Sequence, residues 1–233
     1  MIPRIIHQIY ENPAGPPDMF LSLSSTWKEH HPDWEYRFWD RSSIDSFLTL
    51  HFPEHVTKYR LFTYDIQRWD AIRYLILYKM GGLYVDMDFE CFKPIDSLLN
   101  GYSCCVGLEP SEHARWFKLP FIVGNAFMAT VPNHPYFEMI TRDVFMNPTI
   151  SLIESKNLFV ISTTGPLMTT RIYDACPQKH EIKLLSPELV APLSNKEVEM
   201  FIEGRETPEM EEKIEKAFAV HYFWGSWYPQ LNG

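Results

Sequence analysis

Two aspartates, Asp86 and Asp88, stand one residue apart in the stretch GGLYVDMDFECF (81–92), at the end of the most core-like strand pattern in the chain. Asp is almost never fully buried unless it is paired or bound to a metal. On a strand, residues two apart point the same way, so both carboxylates are expected to face one spot. Like charges held that close repel unless a proton or a cation intervenes. Mg²⁺ and Mn²⁺ take one or two carboxylates together with waters and substrate phosphates, which is one use for such a pair. A strand that ends in a solvated turn is the other.

The elements around the pair follow from periodicity. In YDIQRWDAIRYLILYKM (64–80), Ile66, Trp69, Ile72, Leu75, Ile76 and Met80 recur at three- and four-residue steps, and Gly81-Gly82 stops the predicted helix. Asp70 and Arg73 lie one turn apart on a neighbouring stripe, either as a surface ion pair or as site residues returned toward the strand end. Tyr84 shares the face of Asp86 by alternation. Tyr10 ends a first strand over 4–10. Each of these tyrosines suits a core position as well as a pocket wall. Further strands are expected at 35–39, 102–108, 125–131 and from 217, with helices at 18–31, 134–145 and 165–176 and a solvated helix over 195–216. Segment 109–121 mixes charge with aromatics and reads as a loop. Strands alternate with helices without a linker or repeat, so one α/β domain over 1–233 with a mixed sheet flanked by helices is the economical fold.

Composition narrows the class of ligand. The chain has 21 Lys+Arg against 30 Asp+Glu, a net charge of −9, which excludes a broad nucleic-acid footprint. An anionic ligand must therefore be held locally, by a cation or a few placed arginines. At 45% hydrophobic and 15% aromatic the chain can bury a sizeable core and still spare rings for stacking. Cys91, Cys104, Cys105 and Cys176 form no C-x-x-C pair and read as packed, reduced thiols. His30, His31, His51 and His55 lack Cys partners and an H-E-x-x-H pattern, and read as solvated or capping residues. No run reaches about 18 apolar residues, so no transmembrane segment is expected.

The blocks IPRIIHQIY, DAIRYLILYKMGGLYVDMDFECFKPID, GNAFMA, TTGPLMTTR and HYFWGSW occur in an order that resembles glycosyltransferase family 32, from residue 2 to about 227. This is the DXD-containing group that includes yeast-type mannosyltransferases and bacterial capsular polysaccharide enzymes. The resemblance implies a GT-A-like, Rossmann-type fold, a UDP- or GDP-linked sugar donor, a divalent cation (Mn²⁺ favoured over Mg²⁺) and retention of anomeric configuration. By the same resemblance, Asp88 is a direct metal ligand, Asp86 contacts the ion or the donor ribose, and His221 completes the set. Asp70, Arg73 and Asn125 would approach the donor sugar. Tyr10, Tyr84, Asp86, Ser226 and Trp227 would bind the nucleotide and its diphosphate. The donor part is expected at about 1–100, the acceptor side at about 101–216 and a closing segment at about 217–233.

The resulting expectation is a hexosyltransferase acting on a hydroxyl of an acceptor glycan or lipid-linked saccharide in capsule or surface polysaccharide assembly. It would be cytoplasmic, with peripheral association at the inner face of the membrane as an option. A haloacid-dehalogenase-type phosphatase also carries D-x-D, but there the motif lies near the N-terminus and is followed by Thr or Val where this chain has Glu90. A non-catalytic nucleotide-sugar-binding protein on the same fold is the alternative from another class.

Overall fold

In a computed structural model that describes residues 1–146 and 155–224, β1 (Ile5–Ile9) leads through α1 (Asp18–His30), β2 (Glu35–Trp39), α2 (Arg41–His51) and α3 (Val56–Arg60) to α4 (Asp65–Met80). There follow β3 (Gly82–Val85), β4 (Phe89–Cys91), α5 (Asp96–Leu99), β5 (Cys104–Leu108), α6 (Ser111–Trp116) and β6 (Val123–Thr130). The chain continues through α7 (Pro135–Met146), α8 (Lys156–Thr163) and α9 (Pro166–Ala175) to β7 (Ile182–Leu185). It then passes through α10 (Pro187–Val190), α11 (Asn195–Ile202) and α12 (Pro208–Lys216) to β8 (Ala219–His221).

The main sheet has the order β2-β1-β3-β6-β5-β7. β1 runs parallel to β2 and β3, β6 runs antiparallel to β3 and β5, and β7 is parallel to β5. This is the mixed α/β sheet expected from the sequence. Every residue of β3 and β6 is buried, as it must be in strands covered on both faces. Alternation then divides two cores: Tyr84, Cys104 and Met128 pack with α4 and α7, while Leu83, Val85, Cys105 and Ala129 pack on the side of Trp27 from α1. All four cysteines are free and buried, as expected.

The central helix α4 is buried nearly all round, including Gln67, Asp70 and Arg73. At its start the Gln67 side chain accepts from the Tyr64 N–H at 3.3 Å. At its end Gly81 (φ +66) returns its N–H to the Leu77 carbonyl at 2.9 Å. A Cβ on Gly81 would lie 2.7 Å from both Pro132 Cδ and the Thr130 carbonyl, so only glycine lets β3 leave the helix this close to β6.

Several local expectations change. The strand through Asp86 and Asp88 stops at Val85. Asp86 still donates its N–H to the Ala126 carbonyl at 3.0 Å, after which Phe89 N–H closes a turn onto the Asp86 carbonyl at 3.2 Å. The chain thereby leaves the main sheet, and β4 pairs instead with β8, Phe89 opposite His221. Segment 109–121 contains α6, and 195–216 divides at Gly204 (φ +68) into α11 and α12, which bury Val198 and Met210. His31 is not solvated: it is 3% exposed, stacks on Trp27, donates Nδ1–H to the Trp27 carbonyl and accepts the Ile95 N–H.

Candidate functional site

In an open α/β sheet, ligands gather beyond the carboxyl ends of parallel strands. β1, β2 and β3 are such a set, ending at Ile9, Trp39 and Val85. Beyond β1 and β2 lies a cavity of about 400 Å³ whose walls include Tyr10, Glu11, Asn12, Arg41, Asp65 and Trp69. Tyr10 meets Phe20 edge-on at 5.9 Å and lines this cavity. Glu11 is fixed in the wall, accepting from Trp69 Nε1 at 2.9 Å and Tyr59 Oη at 3.2 Å. Beyond β3 lies the turn of Asp86 and Asp88.

The carboxylates converge through that turn rather than through strand alternation. One ligand atom each from Asp86, Asp88 and His221 lie within 4.8 Å of one another. His221 is brought in by the β4–β8 pairing. Its ring stacks on Phe89 at 4.2 Å and 16°, and Nε2 stands 3.2 Å from Asp88 Oδ1. The other Asp88 oxygen accepts the Trp224 N–H at 2.8 Å, and its carbonyl accepts the Tyr222 N–H at 3.0 Å.

Behind the cluster is a buried polar network on α4. Asp70 accepts from Asn125 Nδ2 at 2.9 Å and Thr164 Oγ1 at 2.8 Å, and pairs with Arg73 Nη2 at 3.2 Å. Arg73 Nη1 donates to the Asn125 carbonyl at 2.9 Å and reaches Asp86 Oδ1 at 3.3 Å. The guanidinium lies over the Tyr84 ring at 4.6 Å, and Tyr84 Oη donates to Asp86 Oδ1 at 2.5 Å. The pair Asp70 and Arg73 is thus interior, not a surface ion pair. Sequence reasoning did not single out Tyr74 or Thr164, although both lie in recognised blocks: Tyr74 Oη accepts from Asn125 Nδ2 at 3.0 Å and donates to the Thr164 carbonyl at 2.5 Å. Ser226 and Trp227 lie outside the described residues.

Charge in this site is finely opposed. Burial pushes Asp70 up to about 7, against the pull of Arg73, Thr164 and Asn125. Burial also raises Asp86; Arg73 resists and the nearby Asp88 adds to the rise. Asp88 is held below its ordinary range despite burial, because His221 and the Trp224 N–H favour its charge. Burial disfavours charge on His221, yet Asp88, with Glu109 and Asp86 further off, holds it above its usual value. Two carboxylates and an imidazole form a donor set that suits a divalent metal ion. The 3.2 Å between Nε2 and Oδ1 is close to the roughly 3.0 Å edge of an octahedron with 2.1 Å bonds. The residues fit a divalent ion.

Residues 17–104 match the family described as "Glycosyltransferase sugar-binding region containing DXD motif". Inositol phosphoceramide mannosyltransferase 3 of Schizosaccharomyces pombe is 29% identical over 197 residues, covering 81% of this chain and 51% of its own. Mannosyl phosphorylinositol ceramide synthase CSH1 of Saccharomyces cerevisiae is 29% identical over 178 residues, covering 74% and 43%. The chain spans about half the length of the curated relatives it matches. Among solved structures, a glycosyltransferase involved in glycosylation of the major capsid of PBCV-1 superposes with TM-score 0.53 at 12% identity, covering 93% of this chain and 92% of that one. The PaToxG glycosyltransferase superposes with TM-score 0.51 at 16% identity, covering 92% and 84%. The fold is therefore GT-A-like, it carries a DXD-type sugar-binding region, and the chain is related to the fungal mannosyltransferases.

Proposed function

We propose that this chain is a family-32 glycosyltransferase that moves a hexosyl group from a UDP- or GDP-linked sugar to a hydroxyl of an acceptor glycan or lipid-linked saccharide. The observation that carries the reading is the convergence of Asp86, Asp88 and His221 at the carboxyl end of β3, on the same sheet edge as the Tyr10 cavity. The fungal relatives, an inositol phosphoceramide mannosyltransferase and a mannosyl phosphorylinositol ceramide synthase, support a sugar transfer onto a larger acceptor.

Asp86, Asp88 and His221 would hold the divalent ion, Mn²⁺ in preference to Mg²⁺, which would neutralise charge on the departing diphosphate. Tyr10 would face the nucleobase, since base stacking accepts any flat ring. Tyr84 and Arg73 fix the Asp86 carboxylate from behind, so the ligand geometry costs little reorganisation. Asp70 is committed to Arg73, Asn125 and Thr164, which suits positioning and not nucleophilic attack. With retention taken from the family resemblance, that favours front-side transfer over a glycosyl-enzyme intermediate, with the leaving phosphate oxygen taking the acceptor proton. Residues 222–224, tied to Asp88 by two backbone N–H groups, are placed to exclude water, with Ser226 and Trp227 assigned to the diphosphate. Surface polysaccharide assembly at the cytoplasmic side of a membrane is part of this reading; no helix among the described residues is long and apolar enough to cross one.

The test is Mn²⁺-dependent hydrolysis across a panel of nucleotide sugars, which needs no knowledge of the acceptor. The wild-type protein is expected to consume one of them, and Asp88→Ala to lower the rate about 100-fold or more. Equal turnover by Asp88→Ala would overturn the assignment.

A further inference from the structure

Four rings run in a row from the carboxylate–histidine cluster to the surface. His221 lies 4.0 Å from Phe223, Phe223 lies 5.3 Å from His113, and His113 lies 5.3 Å from Trp116. The row ends on Trp116, the last residue of α6, which is 57% exposed. Phe223 holds φ at 49°, a region that a side chain of its size rarely adopts. Such a conformation persists where its surroundings over-determine it, commonly beside a functional site.

A carboxylate flanks the row. Glu109 Oε2 is 2.9 Å from His113 Nδ1, and His113 Nε2 is 3.1 Å from Asn195 Oδ1. Glu109 Oε1 takes no hydrogen bond among the described residues. It lies against Gly124, the neighbour of Asn125, where an added Cβ would stand 2.9 Å from it. The order of the sheet decides what this place is for. β3 delivers Asp86; the Tyr10 cavity lies toward β1 and β2, whereas Glu109 and α6 follow β5 on the opposite side.

We propose that Trp116, His113, Phe223 and Glu109 form the acceptor subsite and receive a pyranose ring. A pyranose presents a face of C–H groups to an indole and hydroxyls at its rim, one of which would donate to Glu109 Oε1. The inference rests on the transferase reading above.

The experiment offers p-nitrophenyl pyranosides of mannose, galactose, glucose and N-acetylglucosamine as acceptors, with the donor and Mn²⁺, to wild type, Trp116→Ala and Trp116→Phe. Trp116→Ala is expected to raise the acceptor KM about tenfold, equivalent to about 1.4 kcal/mol, and Trp116→Phe to recover most of it. An acceptor KM unchanged in Trp116→Ala overturns the subsite, as does a wild type that hydrolyses the donor yet transfers to none of the pyranosides. A wild type that consumes no nucleotide sugar with Mn²⁺ overturns the transferase reading and the subsite together.

Discussion

Arg73 is the residue on which the interior of the site turns. Its guanidinium meets Asp70, Asp86 and the Asn125 carbonyl while lying over Tyr84, so one planar cation joins α4, β3 and β6. A lysine keeps the charge but has neither the fork nor the flat face, and it cannot satisfy both carboxylates in those directions. Arg73→Lys is therefore expected to lower kcat for Mn²⁺-dependent donor turnover about 100-fold, the scale of losing one preorganised electrostatic contact. A wild-type kcat in that variant would show that the Arg73 geometry is incidental to the reaction. The residue types of this network were legible, since Asp70, Arg73, Asp86 and Tyr84 stood out by type and spacing and Asn125 by the family resemblance. Their burial was not. A pair three residues apart on a helix looks the same in sequence whether it faces water or a sheet, and here α4 is covered on nearly every side.

At the scale of elements, the glycine pair after α4 is the decisive punctuation. Gly82 has φ +93, and a Cβ there would lie 2.7 Å from the Ile5 carbonyl and 3.0 Å from His7 Nε2. Gly82→Ala is expected to destabilise the protein by about 3 kcal/mol, combining a left-handed backbone with forced overpacking. Urea denaturation measures this, and an unchanged midpoint would refute it. The helix stop was readable because glycine pairs at the end of a periodic run have few other uses. The end of β3 was not, because a strand buried on both faces has no alternation to lose. Whether Asp86 continues that strand depends on β6, whose Ala126 carbonyl takes the last ladder bond before the turn. For a similar reason the short α6 was missed: six residues give too little periodicity to distinguish a helix from a mixed loop.

Across the whole molecule, His7 couples the sheet to pH. It is fully buried in β1, donates Nε2–H to the Gly81 carbonyl and accepts the Trp39 indole N–H on Nδ1. Burial lowers its value to about 4 from an ordinary 6.5, and a second proton on Nδ1 would face a donor. The unfolded chain therefore takes up a proton first. This contribution to stability is complete above pH 6.5, declines by up to about 1.4 kcal/mol per unit as pH falls toward 4, and is flat below that. Asp70, raised to about 7, acts in the opposite sense over an overlapping window, so the quantity to measure is the difference in slope between wild type and His7→Gln by denaturant titration. Identical slopes would remove His7 from the acid response. By itself, the sequence determined the α/β class, the central helix with its glycine stop and the D-x-D block, because each is written in local spacing or residue type, and it marked the candidate site residues by type and by resemblance. Only the tertiary structure decided how His221 is brought against Asp88, that Arg73 is interior and that a row of rings runs from the cluster past Glu109 to Trp116. The physical reason is the β4–β8 pairing: it joins stretches about 130 residues apart in the chain, and such a register is set by packing between distant segments that no local pattern records.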